Sequence, residues 1–167
     1  QVSGAKAVAI EFHTLSKTFN MTGWRIGMAV GCPDAIQALS IIKTNVDSGK
    51  FKAIQEAGIE ALKTPPAEIR KLHAIYGIRS NLFIDGLNNI GLNLPYSQAT
   101  FYVWAPIPGG QKSETFCQYV LEKAGVLLVP GTGYGVHGEG YFRAAMTVPA
   151  DKIRKAVQRL KRTVEYK

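Results

Sequence analysis

Cysteine is nearly absent: the sequence holds only Cys32 and Cys117, both in apolar surroundings, and no CxxC pair. That excludes a disulfide framework and a thiolate zinc site, and it makes a reducing, cytoplasmic setting the expected one. Long apolar runs are missing too. Residues 26–32 and 126–129 fall far below membrane-spanning length, so no membrane partner is expected. His13, His73 and His137 are dispersed without metal-ligand spacing, and none is assigned a metal. No signal-peptide pattern, internal repeat or low-complexity tract occurs. The chain opens at Gln1 and passes almost at once into the apolar pattern Ala7-Val8-Ala9-Ile10-Glu11-Phe12, so it reads as a piece of a longer polypeptide.

What is present is an ordinary globular composition, 46% hydrophobic and 19% charged, with a formal net charge of +8. Much of the excess lies near the end, at Lys152, Arg154, Lys155, Arg159, Lys161, Arg162 and Lys167. These residues interleave with Ile153, Val157, Leu160 and Val164 at helical spacing, which is the pattern of a solvated helix face. Basic and aromatic residues do not alternate there as they do in single-strand binders, so no nucleic-acid partner is expected.

Periodicity and punctuation predict a strand over residues 7–12, a polar loop over 13–23 and a second strand over 25–31. Cys32-Pro33-Asp34 opens a helix with Ala35, Leu39 and Ile42 on one face, and residues 44–49 break it. Another helix carries Phe51, Ile54, Gly58 and Leu62. Thr64-Pro65-Pro66 starts a long one that runs to Asn88 with Ile69, Leu72, Tyr76 and Phe83 on one side. Shorter elements follow: a strand over 100–105, a helix capped by Ser113 and stopped by Gly125, and a strand over 126–129. A glycine-rich loop over 130–135, a strand over 141–148 and the basic helix complete the chain.

One segment carries chemistry: Glu11-Phe12-His13-Thr14-Leu15-Ser16-Lys17-Thr18-Phe19-Asn20-Met21-Thr22-Gly23-Trp24-Arg25-Ile26-Gly27. A lysine follows a strand in a hydroxyl-rich loop, and an arginine opens the next strand. Their separation of 8 residues lets the loop fold back so that both cations face one pocket. Lysine forms Schiff bases with carbonyl cofactors once its amine has lost its proton. Arginine's planar fork suits a phosphate dianion, and Thr14 and Ser16 can add neutral donors. Each residue alone has a plain explanation as a solvated lysine or a turn hydroxyl; the combination does not.

That combination resembles the pyridoxal-phosphate attachment pattern of class I and II aminotransferases: a hydroxyl or small residue, x, Ser, Lys, a gap, then Gly, x, Arg, an apolar residue and Gly. Thr14 departs mildly from the pattern, since serine or glycine is commoner there. The run Gly140-Tyr141-Phe142-Arg143-Ala144-Ala145-Met146-Thr147-Val148-Pro149 is similar to the family's C-terminal strand, and residues 40–60 are similar to the LL-diaminopimelate aminotransferase branch.

The resemblance implies an α/β fold. The tail of a fold type I large domain (strand, lysine loop, strand) would cover residues 1–63, a connecting helix 64–88, and an α+β C-terminal small domain 89–167. It implies pyridoxal 5'-phosphate bound as a Schiff base to Lys17, with its phosphate held by Thr14, Ser16 and Arg25. It also implies a substrate carboxylate gripped by Arg143, amino-acid and 2-keto-acid substrates, transamination, and a homodimer. Asn45 and Ser48 would reach toward a neighbouring subunit, Tyr134 would line the substrate pocket, and His13 would take a buried or supporting role. The ring-stacking aromatic and the pyridine-nitrogen partner would lie outside this sequence, leaving the isolated chain inactive. Two other readings stay open: another fold type I enzyme, such as a lyase or decarboxylase, and an aminotransferase-like sensor domain of a transcriptional regulator.

Overall fold

Gly4, in a left-handed conformation with φ 80°, starts the four-residue helix α1 (Ala5–Val8) in a computed structural model that describes residues 2–164. The predicted strand over 7–12 is therefore shifted. Alanine and lysine favour the helical turn, and extension begins only at Ala9, ahead of β1 (Ile10–Thr14). β1 pairs antiparallel with β2 (Gly27–Gly31) in a two-stranded sheet, from Ile10 opposite Gly31 to Thr14 opposite Gly27. The intervening loop is more ordered than its polarity implied, holding the turn α2 (Leu15–Thr18) and a 3-10 turn at Thr22–Trp24.

α3 (Pro33–Val46) outruns its predicted end by using its own polar residues. The Thr44 hydroxyl lies 3.0 Å from the Ser40 and Ile41 carbonyls, Asn45 Nδ2 donates to Ile41 O at 2.7 Å, and Lys43 pairs with Asp47. α4 (Lys52–Leu62) turns Gly58 inward, where a Cβ would stand 2.8 Å from the Ile26 side chain. Ile42, Phe51 and Leu62, expected to face inward, are exposed.

The chain folds as two compact units, Gln1–Arg70 and Lys71–Lys167. α5 (Pro66–Asn88) passes through that boundary, and its second half buries Ser80, Phe83, Ile84, Gly86 and Leu87. The second unit has a three-stranded antiparallel sheet of order β3-β5-β4: β3 (Tyr102–Pro106), β4 (Val129–Pro130) and β5 (Tyr141–Ala145). Its inner face, Val103, Ala105, Phe142 and Ala144, packs with Phe83, Ile84, Leu87, Phe116, Val120, Ile153 and Leu160 in one core. The Phe116 and Phe142 rings stack at 5.7 Å.

The expected strand over 126–129 is reduced to Val129–Pro130, which pair with Arg143 and Phe142 of β5. α6 (Ser113–Ala124) is not capped by Ser113, which is fully buried as its first residue; Lys112 holds the N-cap position without a side-chain bond, and Glu139 Oε1 accepts from the Ser113 N–H instead. Gly125 ends α6 with φ 60°, and Arg159 of α7 (Ala150–Thr163) donates to the Ala124 carbonyl at 3.4 Å. α7 buries Ile153 and Leu160 and leaves Lys152, Arg154, Lys155, Arg159, Lys161 and Arg162 exposed, as an amphipathic helix requires. Lys167 lies outside the described residues.

Candidate active site

The lysine loop is built by short-range hydrogen bonds. Thr14, extended at the end of β1, caps α2: its Oγ1 accepts from the Ser16 N–H at 3.2 Å and donates to Ser16 Oγ at 2.9 Å. Ser16 is buried, and its hydroxyl is paired with that of Thr14. Lys17 follows on the turn, exposed and in the last turn of α2. The chain then returns. Leu15 N donates to Ile26 O at 3.2 Å, and Thr22 Oγ1 donates to Ser16 O at 3.0 Å. The segments bearing Lys17 and Arg25 are thus tied together, as the spacing of 8 residues allowed.

Arg25 does not open the second strand. It sits before β2 in a left-handed conformation with φ 51°, and Nη1 donates to Thr22 O at 3.1 Å. A non-glycine residue there costs about 1–2 kcal/mol, a local strain of the kind that gathers at ligand-binding segments. Asn20, with φ 57°, bends the loop the same way. Gly27 has no freedom to be anything larger, because a Cβ would meet the His13 carbonyl oxygen at 2.5 Å. His13 itself is exposed, not buried, and pairs with Glu11 at 2.9 Å.

Arg143 lies on β5 in the second unit. No carboxylate among the described residues pairs with it, and its buried Nε has no hydrogen-bond partner. Aromatic rings surround it instead: its Cζ stands 4.2 Å from the Tyr102 centroid and 4.6 Å from that of Tyr134. The turn leading into β5 is fixed by Glu139, whose Oε1 accepts from Ser113 N at 2.7 Å and Gly140 N at 3.0 Å. Those backbone donors hold the Glu139 carboxyl below its ordinary value. The buried Ser113 hydroxyl accepts from Gly140 N at 2.9 Å and closes the same turn. Sequence reasoning missed Tyr102; the signal for it was the alternation of Tyr102, Val103, Trp104 and Ala105, which puts two aromatics on the sheet face away from the core.

The model of the family described as aminotransferase class I and II matches residues 2–160. The chain belongs to this family. Its members work with pyridoxal phosphate. Among its relatives, an LL-diaminopimelate aminotransferase of Halothermothrix orenii is 52% identical over 96% of the chain and 41% of its own length. One of Moorella thermoacetica is 49% identical over 98% of the chain and 42% of its own length. Among solved structures, apo-BacF from Bacillus subtilis superposes with a TM-score of 0.91 at 34% identity, covering 99% of this chain and 43% of that one. A probable N-succinyldiaminopimelate aminotransferase from Thermus thermophilus gives 0.89 at 32% identity, over 98% and 44%. This aminotransferase-family chain therefore spans well under half the length of the relatives it matches.

The residues present fit a phosphate ester carrying an aldehyde. The buried Ser16 hydroxyl and the Arg25 guanidinium, presented on left-handed backbone, are groups that could donate to such a phosphate, and the Lys17 amine is next to that serine in the chain.

Proposed function

We propose that the chain forms part of an aminotransferase that moves an amino group between an amino acid and a 2-keto acid, with pyridoxal phosphate held through Lys17. The observation that carries this reading is the closed loop of the first unit: the Thr14-capped Ser16–Lys17 turn, stitched back onto Arg25, Ile26 and Gly27. When bound, the cofactor supplies an electron sink that acidifies the substrate's α-carbon proton.

The chain's own residues supply the rest. Ser16 Oγ and the Arg25 guanidinium hold the phosphate, with Thr14 setting the Ser16 backbone and adding its hydroxyl. Lys17 Nζ would be the amine that holds the cofactor and, when free, would carry the substrate's α-proton as base and then as acid. Arg143, lacking a protein carboxylate, binds that of the substrate. The names of its relatives make LL-diaminopimelate the first amino donor to try. A homodimer in the cytoplasm, formed by a longer polypeptide containing this chain, is the expected working form.

The test is amino transfer by that full-length polypeptide from LL-diaminopimelate and other amino acids to a panel of 2-keto acids. Product formation that requires the keto acid supports the reading. Loss of carbon dioxide or elimination without a keto acid would replace it with a lyase or decarboxylase.

A further inference from the structure

The face of the three-stranded sheet turned away from the core is an aromatic plate around one cation. On β3, Val103 and Ala105 are buried while Tyr102 and Trp104 face outward; on β5, Phe142 and Ala144 are buried while Tyr141 and Arg143 face outward. Register places Trp104 directly opposite Arg143. The turn at Gly131–Tyr134 adds a ring, and the contacts form a chain: Tyr134 meets Trp104 edge-on at 5.8 Å, and Trp104 stacks on Tyr141 at 5.7 Å. Tyr102 and Tyr134 both lie against the Arg143 guanidinium, at 4.2 and 4.6 Å from Cζ.

An arginine can be oriented in two ways. Hydrogen bonds to protein acceptors fix it but consume the in-plane N–H groups that a carboxylate needs. Aromatic rings fix it through the π faces and leave the in-plane donors unspent. Arg143 follows the second course, for among the described residues its guanidinium has ring contacts and neither an ion pair nor a partner for Nε. We infer that Tyr102 and Tyr134 are positioning residues that set the plane of the Arg143 guanidinium for an incoming carboxylate, with Trp104 holding Tyr134 in place. This inference rests on the reading of Arg143 as the carboxylate ligand, and it assigns the tyrosine rings, not their hydroxyls, as the working parts.

The experiment compares Tyr134→Phe, Tyr134→Leu, Tyr102→Leu and Arg143→Lys in the full-length enzyme, reading KM and kcat for the amino-acid substrate. It also reads the side-chain Nε–Hε NMR signal of Arg143, assigned by its loss in Arg143→Lys. Removing either ring should raise KM about tenfold while kcat changes little, and Tyr134→Phe should stay within about twofold of wild type. The Nε–Hε signal should sit upfield in the wild type through the ring currents and move downfield in each leucine variant. Leucine variants with unchanged KM, alongside a raised KM in Arg143→Lys, would overturn the inference and spare the reading of Arg143. An unchanged KM in Arg143→Lys would overturn both. Should a leucine variant not fold, the wild-type signal decides: an unshifted Nε–Hε position contradicts ring positioning.

Discussion

In the first unit, Leu15 and Met21 are the buried apolar side chains among the described residues, while Val8, Phe12, Ile41, Val46 and Phe51 stand exposed. In the second, a continuous core runs from Phe83 through Phe116, Val120 and Phe142 to Ile153, Leu160 and Val164. The sparsely packed unit nevertheless carries the lysine loop, where its two buried apolar side chains, Leu15 and Met21, sit among the capping and return hydrogen bonds. The dense unit carries Arg143 on a sheet whose other face is core. Shape and stability are thus supplied by different means: local capping and return bonds around Lys17, and hydrophobic packing beneath Arg143. The match extends over 42% of the Moorella relative's length.

The largest effect that would sharpen this contrast is on chemistry. Lys17→Ala should lower transamination by the full-length enzyme about 10³-fold, with thermal unfolding unchanged; retained activity would remove the first unit from the reaction. Next comes packing. Phe142→Ala should cost about 3–5 kcal/mol in denaturant unfolding, whereas Phe51→Ala, at a site 73% exposed, should stay within about 0.5 kcal/mol. Equal losses would break the comparison. The cysteines offer one reporter in each unit. Burial pushes the Cys117 thiol up to about 11, so at pH 8 native alkylation should reach half-buried Cys32 first and Cys117 only on unfolding. The smallest effect is that of Glu139. Its carboxyl is held below the ordinary 4.5 by backbone donors, so the charged form stabilises the fold. That contribution is complete above 4.5 and is lost as pH falls through the lowered value. Glu139→Gln should therefore melt lower than wild type at pH 6, and the gap should close on acidification.

The order of helices and strands was legible because most of them announce themselves by period and punctuation. Pro33, Pro66 and Gly125 stand where α3, α5 and α6 begin or end. The lysine loop was legible as a motif, though its internal turns were not: a helix of four residues, Leu15–Thr18, has no period to read. Arg25 looked like the first residue of a strand because an apolar run follows it, and its left-handed backbone leaves no mark on an arginine. α3 persisted through Thr44 and Asn45 because their side chains turned back onto Ser40 and Ile41, a choice that polar residues make from context. The aromatic setting of Arg143 depends on which strand lies beside β5, and pairing between residues about forty apart is set by the tertiary fold.

The central claim is that Lys17 is the lysine that bears the cofactor. Full-length protein incubated with pyridoxal phosphate, reduced with borohydride, digested and mapped by mass spectrometry tests it most directly. The account predicts a single phosphopyridoxyl group on the peptide containing Lys17, displaced when amino-acid substrate is added before reduction. A group on another lysine, or none, would contradict it.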